Sequence, residues 1–159
     1  MKRLKIYLET SVWNFLYADD ALEKRAATEI LFNEVEKGKY EFYISEIVID
    51  EIKRASELKQ RLLLKAIGKY RPTVLSISEN SRMLILHYLR NEVLSDNHLA
   101  DLGHVAIASV NEMDVLVSWN MRHIVKRRTR IMVNAANQLY GYDPIEICTP
   151  EEVIDNEDA

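Results

Sequence analysis

The stretch LKIYLETSVWNFLY, residues 4–17, decides which kind of α/β fold this chain takes. Leu4 to Leu8 has the alternation of a strand, and the run breaks abruptly at Glu9-Thr10-Ser11. A dinucleotide-binding unit needs a glycine-rich turn after its first strand, so that the backbone can approach a pyrophosphate. Glu9-Thr10-Ser11 stands where that turn would be, and the nucleotide-binding reading fails. Glu9 also lies inside IYLETSVWNFL (6–16), where a charge among apolar neighbours needs a reason.

Outward from this stretch, the chain alternates strand and helix. Ser11 is placed to cap a short helix over Val12–Tyr17, and Asp19 or Asp20 to open a long one to about Lys37, closed by Gly38. Phe42–Ile44 reads as a second strand, and Ser45 caps a helix through Ile47, Val48, Glu51 and Ile52. A helix over Glu57–Tyr70 precedes a strand at Thr73–Ser76. Ser76 and Glu79 form a capping box for a helix from Ser78 to Arg90. Asp96 or Asn97 opens a helix to about Glu112, and Val115–Ser118 is a β-branched strand. Asn120 begins another helical stretch, and a further one runs to Tyr140, stopped by Gly141. Ile145–Ile147 is the last strand, followed by a capping box at Thr149-Pro150-Glu151-Glu152. Such alternation predicts a parallel sheet covered on both faces, within one domain over residues 1–154 and a frayed tail at 155–159.

Composition narrows the function classes. The chain has 159 residues, 29% of them charged, and a net charge of −4, which argues against a general nucleic-acid coat protein. An enzyme acting on nucleic acid remains open, because bound cations and a local basic patch can bring phosphates to an acidic surface. No apolar run approaches the ~20 residues of a membrane span. The single cysteine, Cys148, cannot form an internal disulfide. The start reads as a first strand rather than a signal peptide, so the expected location is cytoplasmic.

In a doubly wound sheet the functional cleft lies beyond the carboxyl ends of the strands. Glu9 ends the first strand, and Ser118-Trp119-Asn120 ends the fourth. Glu51 lies in the helix after the second strand, four residues past Ile47, and Asp101 opens the helix before the fourth. Gathered carboxylates repel unless cations bind between them, and Mg²⁺ or Mn²⁺ suits an oxygen ligand set. Taken singly, Glu51 also fits a solvated helix face, and Asp101 a favourable charge at a helix start. Thr10 and Ser118 fit hydroxyls that orient carboxylates, or plain turn caps. His104 and His123 fit contacts to substrate or organisers of the pocket, or packed or capping histidines, and His104, one turn after Asp101, is placed to hydrogen bond with it. Lys126, Arg127 and Arg128 belong to the densest basic run, either a phosphate-steering flank or a solvated helix end. Asp114 begins a strand rather than ending one and should lie away from the cleft. No central-strand aspartate pairs with a late-loop lysine as a phosphoacceptor domain would need.

The segments YLETSVWNFL (7–16), SEIVIDEI (45–52), DLGHVAIASV (101–110) and DVLVSWNMRHI (114–124) resemble, in order, the four motifs of PIN domains, including VapC-type toxins. IEICTPEEV (145–153) is similar to the close of one bacterial subfamily. The resemblance implies a three-layer PIN-like α/β fold with a five-stranded parallel sheet flanked by helices. It also implies an acidic pocket for Mg²⁺ or Mn²⁺ and ribonuclease activity. Carried over by position, the site falls on Glu9, Glu51, Asp101 and Asn120. Two positions depart from the pattern: Glu9 is one methylene longer than the usual Asp, and Asn120 brings a neutral amide where Asp is common. The implied protein is an endoribonuclease acting as the toxin of a toxin–antitoxin pair, with RNA as substrate, an antitoxin as partner and a homodimeric assembly. The alternative is a weakened PIN-like module that binds RNA or protein.

Overall fold

The computed structural model describes residues 2–154. The expected tail at 155–159 lies outside them. Five strands form one all-parallel sheet in the order β3-β2-β1-β4-β5. They are β1 Leu4–Leu8, β2 Tyr40–Ser45, β3 Thr73–Leu75, β4 Val115–Val117 and β5 Glu146–Cys148. β1 lies at the centre, with Ile6 opposite Phe42 on one side and Val115 on the other. Ile6, Tyr7, Leu8, Leu116 and Val117 are fully buried. Such continuous burial is expected of strands covered on both faces.

Among the described residues, eight α-helices flank the sheet: α1 Thr10–Phe15, α2 Leu22–Glu36, α3 Glu46–Lys53, α4 Glu57–Tyr70, α5 Glu79–Arg90, α6 Leu99–Val110, α7 Arg127–Leu139 and α8 Pro150–Val153. α2 packs on α8, α3 on α4 and α6, and α5 on α6 and α7. α6 is buried without a break from Leu102 to Ser109. At Gly103 a Cβ would stand 2.5 Å from Ile47 Cδ1 on α3, so the end of that side chain would have to turn aside.

The element order and the parallel sheet agree with the sequence reading; several boundaries and caps do not. Ser11 is inside α1, not its cap, because its hydroxyl turns back to Glu9. α2 starts at Leu22 rather than at Asp19 or Asp20, with Ala21 as its N-cap. The cap of α5 is Ser78, two residues beyond Ser76, because Ser81 supplies the reciprocal bond. Asp96 and Asn97 open a single 3-10 turn, Asp96–His98, ahead of α6. Asn120 starts a turn rather than a helix: its carbonyl takes the N–H groups of Ile124 and Val125, and α7 waits until Arg127. Gly38 with φ +77° ends α2, and Thr149 caps α8 reciprocally with Glu152, both as read from the sequence.

The strand order fixes where a cleft forms. From β1 the chain moves outward to β2 and β3, then crosses back to β4 on the other side of β1. The crevice therefore opens between the carboxyl ends of β1 and β4.

Candidate metal centre

Glu9 leaves the end of β1, held by its N–H to the carbonyl of Val117 at 3.1 Å. Its side chain is 5% exposed, and one oxygen, Oε1, accepts hydrogen bonds from both Ser11 and Ser118, the latter at 2.6 Å. Two hydroxyls thus compensate the burial of this charge. The N–H groups of Trp119 and Asn120 donate in turn to the hydroxyl oxygens of Ser11 and Ser118. The loop after β4 is thereby tied to the loop after β1 through Glu9.

Glu51 comes from the last turn of α3. Its Oε1 accepts from the Thr10 hydroxyl at 2.7 Å and meets His104 Nε2 at 2.6 Å. His104 is fully buried in α6, and its Nδ1 lies 2.7 Å from the Tyr7 hydroxyl, which lies 2.7 Å from Ser45 Oγ. With a neutral imidazole, protons run from Ser45 to Tyr7, from Tyr7 to Nδ1, and from Nε2–H to Glu51. With an imidazolium, Nδ1–H donates to Tyr7 and Tyr7 to Ser45. Every group keeps a partner in either state, as a buried network requires.

Charge shifts follow from these contacts. Burial alone would raise the Glu51 pKa, but the His104 and Thr10 hydrogen bonds and the nearby His104 and Arg54 charges lower it on balance. Burial alone would lower the His104 pKa, but the bond to Glu51 and the charges of Glu9, Glu51 and Asp101 raise it. Asp101 is pushed up by burial and by the Glu9 charge, against the pull of His104, His98 and His123.

Ligand atoms of Glu9, Glu51 and His104 lie within 4.8 Å of one another, the one such group of metal-binding side chains among the described residues. The first two were expected; the third place goes to His104, with Asp101 beside the group. Asp101 Oδ1 takes a hydrogen bond from Asn120 Nδ2 at 3.3 Å, and Oδ2 lies 3.5 Å from His98 Nδ1. Asn120 does reach the cleft, but with its amide nitrogen, because its oxygen accepts the N–H of His123. His104 bonds Glu51 and Tyr7 rather than Asp101. Thr10 and Ser118 both hold carboxylates.

In the basic run, Arg128 is committed to structure: its guanidinium donates to the carbonyls of Glu92 and Val93 at 2.9 Å. Lys126 and Arg127 are exposed at the start of α7. Asp114 caps the other end of the sheet, accepting from Lys5 N at 2.8 Å, away from the cleft as expected. Tyr7, Ser45 and Ser11 escaped the sequence reading as site residues. Nothing in the alternation along β1 showed which neighbours the Tyr7 hydroxyl meets. His98 carried a signal, since it lies three residues before Asp101.

The donor set fits a divalent cation. The buried Glu9 and the half-buried Glu51 stand together with His104, and Asp101 lies near enough to feel the charges of Glu9 and His104. Hard oxygen ligands of this kind take Mg²⁺ or Mn²⁺, and an imidazole nitrogen is compatible with transition metals.

No family model matches the chain, and no curated protein matches it significantly. Solved structures do match. A structure of VapBC2 from Rickettsia felis, bound to a DNA fragment from their promoter, superposes over 92% of this chain and 98% of its own, with TM-score 0.58 and 13% identity. Tyrosyl-tRNA synthetase from Archaeoglobus fulgidus, complexed with L-tyrosine, superposes over 93% of this chain with TM-score 0.52 and 8% identity. This chain spans 56% of the synthetase chain. At such identities the likeness is one of fold. The fold is PIN-like, in agreement with the motif resemblance.

Proposed function

We propose that this protein is a single-domain, metal-dependent endoribonuclease, acting as the toxin of a toxin–antitoxin pair. The observation that carries the reading is the grouping of Glu9, Glu51 and His104, whose ligand atoms lie within 4.8 Å of one another, with Asp101 near enough to feel the charges of Glu9 and His104. Glu9 and Glu51 hold Mg²⁺ or Mn²⁺, with Asp101 as the third carboxylate. A bound cation there would supply an acidified water and neutralise charge developing on a phosphodiester. The chain's own residues do the rest. Ser11 and Ser118 aim Glu9, Thr10 and His104 aim Glu51, and Asn120 aims Asp101. Lys126 and Arg127 are the cations left to meet substrate phosphates at the start of α7.

The PIN-like fold shared with VapBC2 supports the toxin assignment and an antitoxin partner. No helix among the described residues is long and apolar enough to cross a membrane, and we place the protein in the cytoplasm. A homodimer through the early helices completes the reading. Tyr17, 38% exposed, remains a candidate for that surface; Trp13 does not, because it is fully buried against Phe32 and Tyr70. Light scattering at tens of micromolar, a range suited to moderate dimers, should give twice the monomer mass.

The deciding experiment is cleavage of mixed structured RNAs with Mg²⁺, Mn²⁺ or EDTA, beside the Asp101→Ala protein. Cleavage should need metal and vanish in the variant. One observation favours a second reading, a binding module with little cleavage: Asn120 brings an amide nitrogen, not an oxygen, toward Asp101. RNA retention without metal-dependent cleavage would select it.

A further inference from the structure

Glu9 and Glu51 share a pattern that bears on which cation the cleft takes. In each, Oε1 receives two donors and Oε2 none from the described residues. On Glu9 the donors are the hydroxyls of Ser11 and Ser118; on Glu51 they are the Thr10 hydroxyl and His104 Nε2. A carboxylate oxygen offers about two lone-pair directions, so two donors fill it. The donors are themselves held: Ser11 and Ser118 by backbone N–H groups of the β4 loop, and His104 by Tyr7 and Ser45 inside the core. Thr10 is 7% exposed at the start of α1. Neither carboxylate can turn both oxygens toward one ion without breaking hydrogen bonds that the fold has fixed.

We propose that these paired donors restrict Glu9 and Glu51 to one ligand oxygen each, and thereby make the cleft select small octahedral cations against Ca²⁺. The inference rests on the metal-binding reading above and deepens it. Ca²⁺ takes about 6–8 oxygens at roughly 2.3–2.6 Å, often with a carboxylate bound through both oxygens, whereas Mg²⁺ demands octahedral geometry near 2.0–2.1 Å and keeps several waters. Mn²⁺ suits the same octahedral oxygen environment. One oxygen per glutamate satisfies the smaller ions and leaves Ca²⁺ short of ligands. Thr10, Ser11, Ser118 and His104 are then positioning residues, which act on the ion through the carboxylates they hold.

The test is calorimetric titration of the whole protein with Mn²⁺ and with Ca²⁺, without RNA, in the wild type, Thr10→Val, Thr10→Ser and Ser11→Ala. Val matches the shape of Thr and removes only the hydroxyl on Glu51. The wild type should bind Mn²⁺ at least tenfold more tightly than Ca²⁺. Thr10→Val and Ser11→Ala should each narrow that ratio severalfold, chiefly by strengthening Ca²⁺, while Thr10→Ser should restore the wild-type ratio. Circular dichroism identifies any variant that has unfolded, and the remaining variants then decide. An unchanged ratio in folded Thr10→Val and Ser11→Ala overturns the proposal and leaves the metal-binding reading intact. A wild type that binds neither ion overturns both.

Discussion

At the scale of single residues, the cleft is a set of coupled charges, of which only Asp101 has its ionised form disfavoured. His104 and Glu51 form its most closely coupled pair, 2.6 Å apart. The raised His104 pKa means that the folded protein holds a proton which the unfolded chain releases. That stabilisation is fully present below the ordinary histidine value of about 6.5 and is lost as pH rises through the folded value. The lowered Glu51 pKa acts at the other end: its contribution is present above the ordinary carboxylate value and is lost as pH falls through the folded one. The Asp101 pKa is raised, so that group also loses stability with rising pH, from the ordinary aspartate value upward. Metal-free protein should therefore unfold at lower urea at pH 8.5 than at pH 6, and His104→Gln should flatten that slope; a wild-type midpoint independent of pH would refute the pairing. Asn120 has a prediction of its own. Its amide nitrogen relieves Asp101, so Asn120→Asp replaces a donor with a like charge. The metal-free variant should be less stable, and Mn²⁺ should bind it more tightly by calorimetry; equal affinity would make Asn120 only the cap of the turn to His123. Sequence made Glu9 legible, because a charge inside an apolar run needs a reason. It could not show which atom of Asn120 faces the cleft, since that depends on a turn whose N–H groups claim the oxygen.

At the scale of elements, α6, which carries Asp101 near its start, is locked to its neighbours near its far end. α5, α6 and α7 meet in a buried trio: the Tyr88 hydroxyl donates to Asn137 Oδ1 at 2.6 Å, and Asn137 Nδ2 donates to Ser109 Oγ at 2.9 Å. All three residues are buried, so removal of one partner leaves another unsatisfied. Tyr88→Phe should cost about 1–3 kcal/mol of stability, read as a lower urea midpoint at unchanged slope. Because the trio lies far along α6 from Asp101, metal affinity in the folded variant should stay within twofold of wild type; a large loss of affinity would mean that α6 shifts as a unit. Strands, helices and their order were legible because hydrophobic period and capping residues are local signals. The missed starts of α2 and α5 were not. Asp19 is held in an ion pair with Arg25 rather than capping, and Ser78 displaces Ser76 because Ser81 lies three residues on to complete the box. Both outcomes rest on side-chain geometry that several nearby polar residues could equally have supplied.

At the scale of the whole molecule, the sheet imposes a cost that a ligand can offset. The fold brings Glu9, Glu51 and His104 within 4.8 Å of one another and sets Asp101 near enough to feel the Glu9 charge. The raised Asp101 pKa records the consequence: burial and the Glu9 charge disfavour its ionised form. At neutral pH the ionised Asp101 therefore works against the metal-free fold. Removing that charge while keeping the shape, as in Asp101→Asn, should raise the melting temperature in EDTA. In the wild type a cation that binds only the folded state adds RT ln(1 + [L]/Kd), or about 2.7 kcal/mol at a hundred times Kd. For a domain of this size that is a shift on the order of 5–10 °C, at roughly 2–4 °C per kcal/mol. Asp101→Asn should lose most of that shift, since an amide carries no net charge to hold a hard cation. The two effects have opposite signs, and a purely structural aspartate gives neither: its loss would lower the melting temperature in EDTA and leave the response to Mn²⁺ unchanged. Thermal melts of both proteins in EDTA and in saturating Mn²⁺ separate these outcomes without any assay of cleavage.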